Sequence, residues 1–287
     1  MPAILAATAC ASADRATAVN IAPEICEGVR HVTMLPSTEI WIRTQLDAHR
    51  QPVRVESFND ADLTDRYLTV ESAWDTAGNL LEVVSYDQDD EIWRDETWTW
   101  KHGQVERFER RDGNGNIEQE RRSVFAADGT EAEMTFHQDG RAKYTEVYTY
   151  DYGNRLLSFV RWRAFDGAVE ATLDNDWLEP APGLDRTETL DFGINVFEDL
   201  FLHDENGRVA THKQRHDDNF NDTIYAWTPS GEPASEHTIS QDTKWRREWT
   251  YDDRGLVETE RFDQDEHQDG TLDHGSVSTW QWTCSVH

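Results

Sequence analysis

The sequence predicts an all-β protein: a long antiparallel meander of about nine two-strand hairpin repeats of about 25 residues, curled or closed into a shell or barrel-like sheet. Three observations predict it. An apolar residue, usually aromatic, recurs at Leu46, Trp74, Trp100, Phe125, Tyr150, Trp177, Leu202, Trp227 and Tyr251, at gaps of 24 to 28 residues. A polar turn follows each, in most units with a glycine, as at Gly78, Gly103, Gly129, Gly153, Gly183, Gly207, Gly231 and Gly255. Between turns the chain alternates polar and apolar residues at the period of a strand. A fixed period of this length marks a repeat architecture.

One unit shows the local logic. In Glu146–Leu156, Tyr148 and Tyr150 stand two apart and share one strand face, with Val147 and Thr149 on the other. Asp151 to Asn154 supplies turn chemistry, and glycine at 153 is free to take positive φ. The chain resumes at Leu156 and turns again at Asp166-Gly167. Trp98-Thr99-Trp100, Tyr225-Ala226-Trp227 and Trp249-Thr250-Tyr251 repeat the theme, and Trp280-Gln281-Trp282 closes the chain. About 18 strands at roughly 4.8 Å would make a flat sheet some 85 Å wide, and twisted strands do not form one. The sheet is therefore expected to close or roll. A β-propeller of four-stranded blades is the alternative architecture.

The totals bound the function. Apolar residues are only 37% of 287, so twelve tryptophans must supply much of any core. The 57 acidic residues against 27 basic give a net charge of −30, which repels nucleic acid and anionic membranes. A transmembrane barrel is excluded on pattern, because Val105–Arg111 alternates Glu and Arg onto both faces of one strand.

Two segments divide the chain: residues 1–22 as a leader and flexible tether, and 23–287 as one β-repeat domain. Ala7-Thr8-Ala9-Cys10 resembles a bacterial lipoprotein signal, which makes Cys10 the expected lipidation site and the printed start a point within a longer signal. With Cys10 set aside, Cys26 and Cys284 remain, one at each end of the folded region. Their pairing as a disulfide fits an oxidising compartment and requires the sheet ends to meet.

The phrase Tyr-x-Tyr-Asp-x-x-Gly-x-Leu, clearest at Tyr148–Leu156 and Trp249–Leu256, resembles the YD repeat of the Rhs and teneurin families. The resemblance implies a sheet spiralling into a hollow shell and a short, stand-alone, lipoprotein-like member.

Candidate chemistry gathers in the second turn of the units. Asp87, Asp89 and Asp90; Asp112–Asn116; Asp217, Asp218 and Asp222; and Asp263–Asp273 are acidic. Calcium takes six to eight oxygens from such loops. Asp263, Asp265, Asp269 and Asp273 are the best set, with plain hairpin chemistry as the competing reading. His212 and His216 have ligand-like spacing but lie in an expected strand, with no third ligand for zinc. No phosphate loop or nucleophile elbow is present.

Trp98, Trp100, Trp227 and Trp249 are expected in the core, with sugar stacking as the alternative. The function read from these features is a non-enzymatic, exported binding or scaffold module of the cell envelope, with Ca²⁺ as its candidate stabilising ion, that contacts a membrane only through a lipid anchor. Its expected partner is an unidentified protein or glycan at the cell surface. A carbohydrate-binding or glycosidase-like β-domain is the second reading, and a shell around a partner the third.

Overall fold

The computed structural model describes residues 24–34, 38–151, 153–177, 185–193, 195–216, 219–241, 243–266 and 273–286. Twenty antiparallel strands follow one another in a meander. They are β1 (Glu24–Met34), β2 (Thr38–Leu46), β3 (Pro52–Phe58), β4 (Arg66–Trp74), β5 (Leu80–Tyr86), β6 (Ile92–Lys101), β7 (Gln104–Asp112), β8 (Ile117–Phe125), β9 (Glu131–Gln138) and β10 (Arg141–Tyr150). The second half holds β11 (Leu156–Arg163), β12 (Val169–Trp177), β13 (Arg186–Asp191), β14 (Val196–His203), β15 (Val209–His216), β16 (Asn219–Trp227), β17 (Pro233–Ser240), β18 (Lys244–Tyr251), β19 (Val257–Asp265) and β20 (His274–Val286). Each strand pairs with its neighbour in sequence, and β20 pairs with β1 from Glu24↔Val286 to Met34↔Ser276. The sheet is a closed barrel with no free edge, which settles the choice between barrel and propeller. Twenty strands tilted about 40° and spaced about 4.8 Å give a ring about 40 Å across between backbones.

The disulfide joins Cys26 of β1 to Cys284 of β20 across this closure, between residues 258 apart in sequence, with Cα atoms 4.1 Å apart. Both termini of the barrel therefore leave from one rim, called here the terminal rim. The other is the far rim.

The 25-residue beat is a property of the terminal rim. Each beat residue is the last or last but one of an even-numbered strand, beside a turn. At Trp74, Trp100, Tyr150, Trp227 and Tyr251 the ladder register also shifts, so a bulge sits there. The indole N–H of Trp74 donates to the Pro52 carbonyl (3.0 Å), Trp100 to Leu80 (2.7 Å), Trp177 to Leu156 (3.0 Å) and Trp227 to Val209 (3.0 Å). Trp282 donates to Val257 (2.7 Å), and the Tyr251 hydroxyl to Pro233 (2.7 Å). In each case the acceptor opens the preceding strand. The ring thus satisfies a carbonyl that the bulge leaves outside the ladder.

Five of the terminal-rim turns share one construction. Oδ1 of Asp47, Asp75, Asp151, Asp204 and Asp252 accepts the backbone N–H groups two and four residues on, at 2.8 to 2.9 Å. The fourth residue has positive φ: Arg50, Gly78, Asn154, Gly207 and Gly255, between 61° and 89°. In the 151–155 turn the left-handed residue is therefore Asn154, and Gly153, at position three, is not the hinge. Asn tolerates that conformation because its short polar side chain adds little crowding.

Directly opposed residues share a face, so register defines two surfaces. One row runs Trp98–Phe108–Arg121–Phe136–Tyr144 across β6 to β10. Another on the same face runs Phe201–His212–Thr223–Thr238–Trp245 across β14 to β18. This face holds the buried Glu146, Ala171, Leu173, Asp199, Thr223, Thr238 and Ser278. The opposite face carries the row Val124–Glu133–Val147–Val160–Thr172–Asp191–Val196, in which Val124 is 58% exposed. Curvature crowds side chains on a concave surface, so the better-buried, aromatic face lines the lumen. The outer face is buried mainly under arginines, as at Glu56 and Glu120.

A sealed apolar core is nearly absent. The one cluster among the described residues joins Cys26, Leu46 and Leu256, with Trp282 and Cys284 packed against it. Gly28 is required there, because a Cβ would sit 2.5 Å from the Trp282 ring. Trp98, Trp100, Trp227 and Trp249, expected in the core, are instead half-buried on the lumen wall.

Candidate functional site: the lumen wall

The wall is built from a short motif: a charged residue, then aromatics at positions two and four. Glu96-x-Trp98-x-Trp100, Glu146-x-Tyr148-x-Tyr150 and Arg247-x-Trp249-x-Tyr251 follow it, and period two puts all three side chains on one face. The charged residues then pair across strands. Arg161 donates to Glu146 through Nε (2.8 Å) and Nη2 (2.5 Å), and its guanidinium lies 4.1 Å from the Tyr144 ring centroid. The Tyr148 hydroxyl donates to the same carboxylate (2.5 Å). Burial, reinforced by Glu146, pushes the Tyr148 phenol far above its ordinary range. Arg121 donates to both oxygens of Glu131 (2.8 and 2.9 Å), and Arg110 Nε to Glu96 (2.6 Å).

A second cluster lies where the barrel closes. Arg30 donates to Glu260 (2.5 Å) and to the Ser278 hydroxyl (2.8 Å), over the Trp280 ring. Arg247 approaches Glu260 at 3.4 Å and Glu236 at 3.9 Å. Burial lowers the Arg30 pKa against the pull of Glu260 and raises that of the Glu236 carboxyl. Trp280 and Trp282 stack at 5.2 Å between centroids. Burial pushes the Tyr251 hydroxyl up to about 12.

The histidines of β15 lie on this wall, each stacked on an aromatic ring. His212 Nε2 meets Asp199 at 2.5 Å, and its ring stacks on Phe201. His216 stacks on Phe197, 4.1 Å between centroids. His203, one strand earlier, meets Asp185 at 3.1 Å. Chemically the wall offers half-open aromatic faces beside carboxylates already held by cations or hydroxyls.

Of the other residues singled out by sequence, Cys10 lies outside the described residues. So do Asp269, Asp217, Asp218 and Gly183. Asp263 accepts from Arg261 (2.7 Å), Asp273 accepts from the Glu266 N–H (2.7 Å), and Asp265 is buried. Asp87 and Asp112 are turn residues of the kind described above, each accepting two backbone N–H groups. No group of three or more potential metal ligands gathers among the described residues. The arginine–carboxylate pairs were missed at the sequence level, although the charge-x-aromatic-x-aromatic spacing carries their signal.

No family model matches the chain, and no curated protein does. Among solved structures it is similar to a porin-like protein from Bacteroides uniformis ATCC 8492. The likeness covers 91% of this chain and 96% of that one, at 10% identity and a TM-score of 0.44. The closed fold and the lack of any matching family model correct the YD-repeat reading and the short, stand-alone family member that it implied. The strands close into a barrel and do not spiral, and no YD family model matches. The Tyr-x-Tyr-Asp-x-x-Gly-x-Leu phrase instead spells the terminal-rim construction: wall aromatic, bulge, aspartate-capped turn, left-handed fourth residue.

Both barrel faces carry charge. Glu96 and Arg110 pair on the lumen side, while Arg107, Glu109, Glu120 and Arg122 form a network on the outside. A lipid-facing surface needs a continuous apolar band, and the outer face of β7 and β8 has none.

Proposed function

We propose that this chain is a non-enzymatic binding or scaffold module of an oxidising, extracytoplasmic compartment, tethered through Cys10 and working through its lumen wall. The observation that carries this reading is the Cys26–Cys284 disulfide, which clasps the two ends of the ring. Disulfides persist outside the reducing cytoplasm. Half-open tryptophans on the lumen side favour one second reading, a carbohydrate ligand, because sugar rings stack on aromatic faces.

Fractionation of producing cells with trapping of free thiols tests the main reading. Envelope or secreted protein with Cys26 and Cys284 oxidised supports it. Cytoplasmic protein with both thiols free refutes it. Titration of the purified barrel with oligosaccharides, followed by tryptophan fluorescence, tests the second. A saturable change lost in Trp249→Ala supports it, and the absence of any saturable change removes it.

A further inference from the structure

A second feature lies on the outer face, where β2, β3 and β4 approach the far rim. Arg43 opposes Glu56 and Trp41 opposes Phe58 across β2 and β3, so these four side chains share the outer face. Phe58 is only 2% exposed there. The Arg43 guanidinium lies 5.1 Å from its ring centroid. Beside them runs a groove of about 490 Å³, bordered also by the 63–66 segment and the β5–β6 turn. Small-molecule sites span roughly 300–1,000 Å³. The connection between β3 and β4 is fixed from within. Asp60 Oδ1 accepts the Thr64 and Asp65 N–H groups at 2.9 Å, and the Asn59 N–H donates to the Asp65 carbonyl (3.0 Å). Leu63, so held, borders the groove at φ 56°, the one aliphatic residue in the left-handed region among the described residues. A strained residue of this kind persists where its surroundings over-determine it, and such positions collect at ligand sites.

The groove has hydrogen-bond donors that its own acceptors do not use. Arg54 donates to Glu56 (3.0 Å) and to Glu71 (2.6 Å). Arg43 and Arg66 stand off the same Glu56, at 3.5 and 3.9 Å. Those lengths are ion pairs beyond ordinary hydrogen bonds. Arg66 spends one N–H on Asp90, and Arg43 donates no hydrogen bond among the described residues. The Nε–H groups of both are buried without a hydrogen-bond partner. A guanidinium carries five donors, so both keep terminal N–H groups to offer. The same groove is bordered by Asp65, which accepts one side-chain hydrogen bond, from Asn59 (3.1 Å), and by the exposed Asp89.

We propose that this groove binds a small zwitterion, an α-amino acid. Arg43 and Arg66 take its carboxylate, because a guanidinium fork matches two carboxylate oxygens. Asp65 and Asp89 take its ammonium group, and Leu63 borders its side chain. The groove's mixed charge selects this ligand. A simple anion meets Asp65 and Asp89 in the same groove, on a chain of net charge −30. A simple cation meets two guanidiniums and finds Glu56 and Asp90 already engaged by arginines. A sugar finds no aromatic face to stack on, since Phe58 is closed off beside Arg43. The groove is on the outer face, so its ligand is independent of whatever the lumen wall holds.

The test starts with thermal unfolding of the whole oxidised chain in the presence of each proteinogenic L-amino acid at millimolar concentration. A ligand of the native state raises Tm. The amino acid that raises it most is then titrated by calorimetry, beside its amide, which lacks the carboxylate, and its des-amino acid, which lacks the ammonium. Saturable binding is expected, weaker by about tenfold or more for either analogue, one step of ten in Kd. Arg43→Gln and, separately, Asp89→Asn should each weaken it about tenfold, while Val124→Thr on the outer wall should leave it unchanged. Circular dichroism confirms each fold. Asp89 is exposed, so its variant keeps the test decisive if Arg43→Gln unfolds. The proposal is overturned if no amino acid binds saturably, if either analogue binds as tightly as its parent, or if affinity is unchanged in either folded variant. Binding of D-glucose that Arg43→Gln abolishes overturns it as well, since the groove would then serve a neutral polyol.

Discussion

The terminal rim is repetitive, whereas the far rim is irregular. On the first, the aromatics donate to backbone carbonyls and aspartates take backbone N–H groups and arginine side chains. On the second, Asp87 and Asp112 keep the same turn, but around them the loops differ in length, and arginines reach their acids from the strand ends, as Arg66 does to Asp90 and Arg163 to Asp166. The difference teaches where this fold keeps its stability. A ring with almost no sealed core must secure each hairpin locally, and it does so at the rim that also holds the disulfide. The far rim, freed from that work, varies.

The largest expected effect breaks the clasp. Cys284→Ser removes a cross-link closing 258 residues, and the loss of unfolded-state restraint predicts a drop of about 2–5 kcal/mol in denaturant melts. A variant as stable as the wild type would show that closure rests on the β1–β20 ladder alone.

Next comes packing beside the clasp. Gly28→Ala forces a methyl into the Trp282 ring and should cost about 1–3 kcal/mol. Trp100→Phe keeps a ring but removes the donor to the Leu80 carbonyl, for a loss of about 1 kcal/mol. An unchanged melting point in Trp100→Phe would mean that the rim aromatics act by area only.

The turn rule makes a sharper contrast. Gly255→Ala, at φ 78°, should cost about 1 kcal/mol. Gly153→Ala, at position three of an equivalent turn, should be close to neutral. Equal losses at the two sites would refute the assignment of Asn154 as the left-handed residue.

Acid tests the aspartate turns. The Arg208 side chain, then its backbone N–H, holds the Asp204 carboxyl down to about 2. A depressed folded pKa contributes stability above the ordinary Asp value of about 3.9 and loses it as pH falls toward the folded value. Asp204→Ala should therefore flatten the stability–pH slope between about pH 4 and pH 2 and leave it unchanged near neutrality. The smallest effect is expected from divalent cations. With the turn aspartates spent on backbone N–H groups, Ca²⁺ and Mg²⁺ at equal ionic strength should raise Tm slightly and alike by screening. A rise confined to Ca²⁺ would instead make the 263–273 connection a metal site.

Much of this was legible in the chain. The beat at Trp74, Trp100 and Trp227 marked strand ends, and alternation marked faces, because period two and turn chemistry are local. The disulfide was legible from parity. The candidate site was only half legible. Charge-x-aromatic-x-aromatic placed Glu146 and Tyr148 on one face, but nothing in the sequence said that Arg161 would reach Glu146. That contact depends on register between strands. The YD resemblance misled for the same reason: turn chemistry is shared by many hairpins, whatever sheet they join.

By itself, then, the sequence determined that the chain forms antiparallel hairpins, where each one turns, and which side chains share a face, since these follow from backbone sterics and nearest-neighbour hydrogen bonds. Only the tertiary structure decided that the expected closure or roll is one complete ring of twenty strands, and that the aromatic face is concave. Those outcomes depend on summed twist, tilt and register around the ring, and no single repeat encodes them.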